Sequence, residues 1–280
     1  MKKIILTYLT FFLLIRPVFA SSIKDIKVNN LLRVMMTEDI CNFMIKDEKI
    51  LKGFFYVLAE EYAKHLEVKL EVKKILWDEL FYHKGKIPEN LGIDNKIKYN
   101  PDHFADNKTD IIAGNITRLK WRENLFKVIP IEQNIQIIIS LFSKKISDIN
   151  GIKNQRVGII KNTTYETTAK KKLGKIDFIP DYSCFDDKDL FVKLANNEID
   201  YAIVDSISYI SYIKTFKNIE ICFRISDKTE DIGWAFDNNN TELNEDFSKF
   251  IKYYKQTGKY AQLWEKHFGL KYYQYKQIFR

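Results

Sequence analysis

The sequence predicts an α/β protein whose sheet is largely parallel and covered on both faces, and three observations predict it. Past residue 30, short β-branched runs alternate with amphipathic helical stretches, the order that builds βαβ units. Several of these runs are apolar throughout rather than alternating, as in strands buried on both faces. The composition is that of a globular chain: 46% hydrophobic and 29% charged, with only 10 Gly and 5 Pro in 280 residues. That excludes a disordered, collagenous or polytopic membrane protein. The length suits one large domain or two lobes of roughly 100–150 residues each.

The chain opens with Lys2 and Lys3, the apolar run Ile4 to Ile15, and small residues around Val18-Phe19-Ala20. This is the pattern of a secretory leader over 1–20, cleaved before Ser21 and too short to span a bilayer comfortably. Export to the periplasm is the expectation, and Ser21 is not the Cys a lipoprotein anchor needs. Loss of Lys2, Lys3 and Arg16 with the leader lowers the formal net charge of +8. The remaining positive charge does not cluster, since Lys46-Asp47-Glu48-Lys49 and Asp186-Asp187-Lys188-Asp189 mix the signs. Such runs read as solvated faces, and no nucleic-acid partner is implied.

Leu31 to Met35 reads as the first strand. Phe55, Leu58, Ala59, Tyr62, Ala63 and Leu66 then recur at helical spacing, giving one apolar face. Val68 to Val72 alternates as a half-buried strand does. Ile111 to Ala113, Ile135 to Phe142, Val157 to Ile160 and Ala202 to Val204 are further strands, separated by helical patterns over Thr164 to Leu173, Leu190 to Ala195 and Ile207 to Phe216. Leu243, Phe247, Phe250, Ile251 and Tyr254 line a C-terminal helix, and a second helix from Tyr260 to Phe268 ends at Gly269. Between Trp77 and Asp110 lies a long stretch with Gly85, Pro88, Gly92 and Pro101 but little periodicity, expected as a mobile edge loop.

No hydrolase, zinc-protease, Walker or dinucleotide motif is present, the four histidines stand apart, and no metal or cofactor is implied. The three cysteines, Cys41, Cys184 and Cys222, form no disulfide framework, and Cys184 with Cys222 is the one plausible pair. Three segments fall where ligands bind open α/β sheets, at the carboxyl ends of strands: Ala113 to Arg122, Lys161 to Glu166, and Ile199 to Ser206.

These segments carry a resemblance. Leu32-Arg33-Val34, Lys52-Gly53-Phe54 with Leu58-Ala59, Asp110 to Arg122, Val157 to Tyr165, Asp200 to Asp205, and Thr257-Gly258-Lys259 with Trp264 to Gly269 follow one another in the order of motifs in family 3 extracellular solute-binding proteins. The chain resembles these periplasmic amino-acid receptors of ABC importers from about Leu32 to Gly269. Ala113-Gly114-Asn115 and Asp205-Ser206-Ile207-Ser208 also resemble the regulatory modules of F-type lytic murein transglycosylases.

The resemblance implies a type II periplasmic-binding-protein fold: two lobes, two hinge crossings and a ligand cleft between them. Residues 31–134 and 226–270 then form lobe one, 135–225 lobe two, and 271–280 a tail. It implies capture of an amino acid or small peptide-like solute, with an ABC permease as partner and a monomeric state. A sensor of cell-wall peptides is the alternative, and a periplasmic dehydratase with Glu38, Asp39 or Glu166 as its acid is the enzymatic one. Carried over residue by residue, the ligand-binding positions are Asn115, Thr117, Arg122, Thr163, Thr164 and Asp205. Arg122 supplies a planar fork for a carboxylate, Thr163 and Thr164 open a helix, and Asp205 accepts from an ammonium. Taken singly, Arg122 also reads as a solvated charge, and Thr163 and Asp205 as helix caps. The chain departs from the family pattern at Phe55 and Val57, which replace acidic residues, and at Asn162, which replaces a turn glycine. No ligand-sandwiching aromatic follows the first strand, and the 77–110 stretch is longer.

Overall fold

The computed structural model describes residues 22–89, 91 and 97–277. The leader expected over 1–20, and positions 90, 92–96 and 278–280, lie outside the described residues.

After the short helix α1 (Ile23–Val28), strand β1 (Leu31–Met36) leads to a hairpin of β2 (Phe43–Lys46) and β3 (Lys49–Lys52). Asp47 and Glu48, the two residues of the tight turn, both have positive φ (48° and 60°), as a type I′ hairpin demands. Gly53 then caps helix α2 (Phe54–Leu66) with its backbone pressed on the Cys41 carbonyl, where a Cβ would stand 2.4 Å from the oxygen. Phe55, Leu58, Ala59, Tyr62, Ala63 and Leu66, the apolar face of α2, are all buried, and Glu67 in the left-handed region ends it. Strand β4 (Lys69–Lys74) returns parallel to β1, completing the first βαβ unit.

Helix α3 (Asp102–Ala105) precedes β5 (Ile111–Thr117), β6 (Lys127–Asn134) and β7 (Gln136–Leu141). There follow β8 (Arg156–Gly158), α4 (Thr164–Leu173), β9 (Ile179–Asp181), α5 (Asp187–Ala195), β10 (Tyr201–Asp205) and α6 (Ser206–Tyr212). Strands β11 (Ile219–Arg224) and β12 (Glu230–Phe236) precede the closing helices α7 (Thr241–Gln256), α8 (Lys259–Phe268) and α9 (Tyr272–Gln277).

The strands form two five-stranded sheets, ordered β4-β1-β5-β12-β6 and β11-β7-β10-β8-β9. The chain leaves the first sheet after Asn134 and regains it at Glu230, so both ends of the sequence build one lobe and the middle builds the other. Each sheet is mixed rather than largely parallel. Strand β12 runs antiparallel to β5 and β6, and β7 runs antiparallel to β10 and β11. The reason is topological: the strands that enter and leave at the crossings reverse direction, which a βαβ pattern does not reveal.

Other differences from the sequence reading have local causes. Strand β5 continues through Asn115 and Thr117, because its pairing with β12 (Ile232 opposite Thr117) outlasts its pairing with β1. Cys184 and Cys222 are both free. Cys222 lies on the edge strand β11 against Ser140 of β7, and Cys184 follows β9 at the other edge, with β10 in between. The 77–110 stretch is no loose edge loop in its described part. Leu80, Phe81 and Phe104 are buried in a second core with Ile75, Leu125 and Phe126. Nor is the C-terminus a plain tail. Tyr275 is fully buried, donates to the Gln133 carbonyl at 3.0 Å and shares a hydrogen bond with Ser206, while Tyr272 and Lys276 bind Glu132. Among the described residues no helix is long and apolar enough to cross a membrane.

Gly233 offers a direct test of this frame. A Cβ there would stand 1.9 Å from the Ile129 carbonyl oxygen across the β12–β6 ladder, and backbone cannot rotate away as a side chain can. Gly233→Ala is expected to lose about 1–3 kcal/mol or more in urea unfolding, and an unchanged midpoint contradicts the register.

Candidate functional site

Arg122 follows the carboxyl end of β5 and Asp205 ends β10, near enough for the Asp205 charge to act on the guanidinium. Cys41, after β1, reaches Ser211 of α6 with Sγ and Oγ 2.9 Å apart. The polar groups that meet there were placed by strand pairing: Gln136 lies opposite Asp205 across β7 and β10.

Arg122 opens a 3₁₀ turn after β5 and is no solvated charge, being 2% exposed. Its Nη1 donates to the Thr117 carbonyl at 2.9 Å. The guanidinium carbon lies 5.3 Å from the centre of the Trp77 ring, 5.5 Å from Phe81 and 5.1 Å from Trp121. Its Nε is buried without a hydrogen-bond partner. Burial pulls its pKa down to about 10, opposed by the charges of Glu230 and then Asp205. Arg122 and Asp205 therefore sense one another, but no ion pair joins them among the described residues.

Asp205 ends β10 in the other lobe, 6% exposed. Its position caps α6, yet its side chain makes no cap bond and accepts instead from Asn134 Nδ2 at 2.6 Å. Its backbone N–H donates to the Tyr165 hydroxyl. Burial and then the neighbouring Asp187 push its carboxyl up to about 8, against the Asn134 hydrogen bond. Thr163 is spent as a cap: its hydroxyl accepts from the Tyr165 N–H and donates to the Ile160 carbonyl. Thr164 Oγ1 accepts from Gln136 Nε2 at 2.8 Å, leaving Gln136 Oε1 buried and unpartnered. Asn115 is half-buried with Oδ1 also unpartnered, and Thr117 is buried on the same strand. Asn162 takes the left-handed conformation (φ 60°) of the glycine it replaces, which Asn tolerates.

Two buried or half-buried acids, Asp187 and Glu230, went unread in the sequence, and Asp39, read there as a candidate enzymatic acid, is held in its own turn. Asp187 belongs to a charge run that looks solvated, but Asp186 takes the cap of α5 and turns Asp187 inward. There it accepts from Tyr165 and Ser208 and its pKa is raised by burial. Glu230 begins β12 with Oε2 buried and unpartnered, and burial raises it too. Asp39 is tied into its own turn by the N–H groups of Cys41 and Asn42 and by Thr37, and burial lifts it to about 6. The other two acids considered for enzymatic work are occupied at the surface. Glu38 pairs with Lys74, and Glu166 pairs with Lys170 and accepts from the Asn162 N–H. No signal in the sequence marks Glu230 or Gln136, because only sheet pairing brings them to the cleft.

No family model matches the chain. Among curated proteins it is similar to membrane-bound lytic murein transglycosylase F of Saccharophagus degradans, 28% identical over 221 residues, which are 78% of this chain and 40% of that protein. The chain spans less than half the length of the curated relatives it matches. Among solved structures it is similar to an ancestral amino acid-binding protein, a precursor of cyclohexadienyl dehydratase (TM-score 0.70, 22% identity, 88% of this chain and 99% of that one). It is also similar to the amino acid ABC transporter substrate-binding protein AbpA from Streptococcus pneumoniae bound to L-arginine (TM-score 0.68, 19% identity, 92% and 99%). The fold is that of the type II periplasmic binding proteins.

The raised carboxyl of Asp205 has a measurable consequence. Between the unfolded value near 4 and the folded value of about 8 the native state holds a proton that the unfolded chain has lost. The group therefore costs stability as pH rises through that window. Asp205→Asn is expected to stabilise the ligand-free protein more at pH 8.5 than at pH 5. Equal melting-temperature gaps at the two pH values contradict the burial. His103 and His267, whose pKa values are lowered by burial, pull the other way in both proteins alike and drop out of the comparison.

Proposed function

We propose that the protein captures an α-amino acid, of the cationic kind, between its lobes. One observation carries this reading: Arg122, after a strand of the first sheet, and Asp205, at the end of a strand of the second, are both buried with no ion pair between them, yet the Asp205 charge acts on Arg122. A guanidinium buried without a counter-ion is costly, and burial holds Asp205 in its protonated form until a cation meets it. A zwitterion between them pairs both, its carboxylate on the fork of Arg122 and its ammonium on Asp205. Gln136 Oε1 and Asn115 Oδ1, unpartnered in the cleft, are acceptors for further N–H groups.

The cationic class follows from the acids. Burial raises the carboxyls of Asp187, Asp205 and Glu230, and Glu230 Oε2 is buried without a hydrogen-bond partner. A side-chain cation beside Glu230 pairs that oxygen, which a neutral side chain does not. The L-arginine bound by AbpA accords with this. Delivery to an ABC permease from the periplasm is the role the fold favours.

The likeness to transglycosylase F favours a second reading, in which the same cleft senses cell-wall peptides and acts on a peptidoglycan enzyme rather than a permease. Both readings use the cleft for binding and assign no catalytic residue.

A thermal-shift screen is expected to show L-arginine and L-lysine raising the melting temperature above that seen with neutral amino acids. A response to muropeptides alone favours the sensor. Arg122→Ala and Asp205→Asn are each expected to weaken calorimetric binding by about 2–5 kcal/mol. Arg122→Lys should be nearly as damaging as Arg122→Ala, since a point charge cannot copy the fork. Folded variants that bind as wild type end the reading.

A further inference from the structure

Two rings from the described part of the stretch between β4 and β5 lie on the Arg122 guanidinium. Trp77 stands at the start of that stretch, and Phe81 closes the 3₁₀ turn Asp78–Phe81. With Trp121 they surround the Arg122 guanidinium at 5.1–5.5 Å from ring centre to carbon. The rings also hold one another: Trp77 meets Phe81 edge-on at 5.7 Å, and Phe81 lies 5.4 Å from Trp121. Phe81 is fixed from behind, because the Tyr99 hydroxyl donates to its carbonyl at 2.7 Å. Leu80 and Phe104 bury the same turn in the second core.

Polar contacts alone leave the guanidinium underdetermined. One bond, to the Thr117 carbonyl, orients Nη1, while Nε has no partner. A fork recognises a carboxylate in its own plane, so its orientation decides whether two hydrogen bonds form or one. Rings stacked about a desolvated cation both attract it and restrict its rotation. Orientation fixed before binding lowers the entropy lost on binding.

We propose that Trp77, Phe81 and Trp121 are positioning residues that hold the Arg122 fork in its ligand-receiving plane, making the 77–110 stretch a functional support of the cleft. The proposal rests on Arg122 receiving the ligand carboxylate, and its test separates the two ideas. In the full chain, Trp77→Phe keeps a ring face whereas Trp77→Leu fills space without one. Nitrogen-15 NMR of the Arg122 side chain needs no ligand. Wild type and Trp77→Phe are expected to show ring-shifted Nε–H and slow rotation about the Nε–Cζ bond, and Trp77→Leu to lose both. By calorimetry with L-arginine, Trp77→Leu is expected to bind about 10–30-fold more weakly than wild type and Trp77→Phe within about threefold.

A Trp77→Leu protein that melts with Trp77→Phe and shows unchanged Arg122 resonances and affinity overturns the cage. If wild type does not bind L-arginine, the ligand reading for that probe fails and the NMR comparison alone decides the cage. Trp121→Leu repeats the test from the other face should Trp77→Leu not fold, with the same outcomes counting for and against.

Discussion

The structure turns on charge held out of water between two lobes. Arg122 and Asp205 are buried and Asp187 is half-buried, each with hydrogen bonds but with no ion pair among them, and burial favours the protonated form of the two acids. A buried charge with no counter-ion, as at Arg122, is among the most expensive features a fold can carry. The surrounding architecture serves to keep these groups there: Asn134 and Gln136 from the crossing, Tyr165 from α4, and aromatic rings about Arg122.

The hinge is reinforced where the chain changes sheets. Glu132, near the end of β6, accepts from the hydroxyls of Tyr260 and Tyr272 and pairs with Lys276. Tyr275 joins the Gln133 carbonyl of this crossing to Ser206, the residue after Asp205. Helix α9 thus straps the crossing to the very strand end that carries the buried acid.

Where the solute-binding proteins that the chain resembles carry an acidic pair in the first helix, this chain has Phe55 and Val57, and Phe55 is fully buried against Trp234 and Phe54. Acids stand instead at Asp187, at the start of α5, and at Glu230, at the start of β12. The support of Arg122 likewise comes from a stretch between β4 and β5.

How much the sequence determined by itself can be read from particular residues. Apolar periodicity located α2, α7 and α8, because a helix face is a local property of one segment. β-branched runs located β1, β8 and β10 to within a residue or two. Ordered short motifs pointed to Arg122 and Asp205, both of which are buried. What only the tertiary structure decided depended on pairing between distant segments. The extension of β5 through Thr117 needed β12, more than a hundred positions away. Gln136 and Glu230 became site residues through their partners across the sheets, and Asp187 turned inward because Asp186 took the cap. Cys184 and Cys222 were kept apart by strand order, and Trp77 and Phe81 reached Arg122 only once a second core had formed. Local patterns specify which face of an element is apolar; the neighbour that covers it, and the charge it thereby buries, is set by long-range contacts that no single segment encodes.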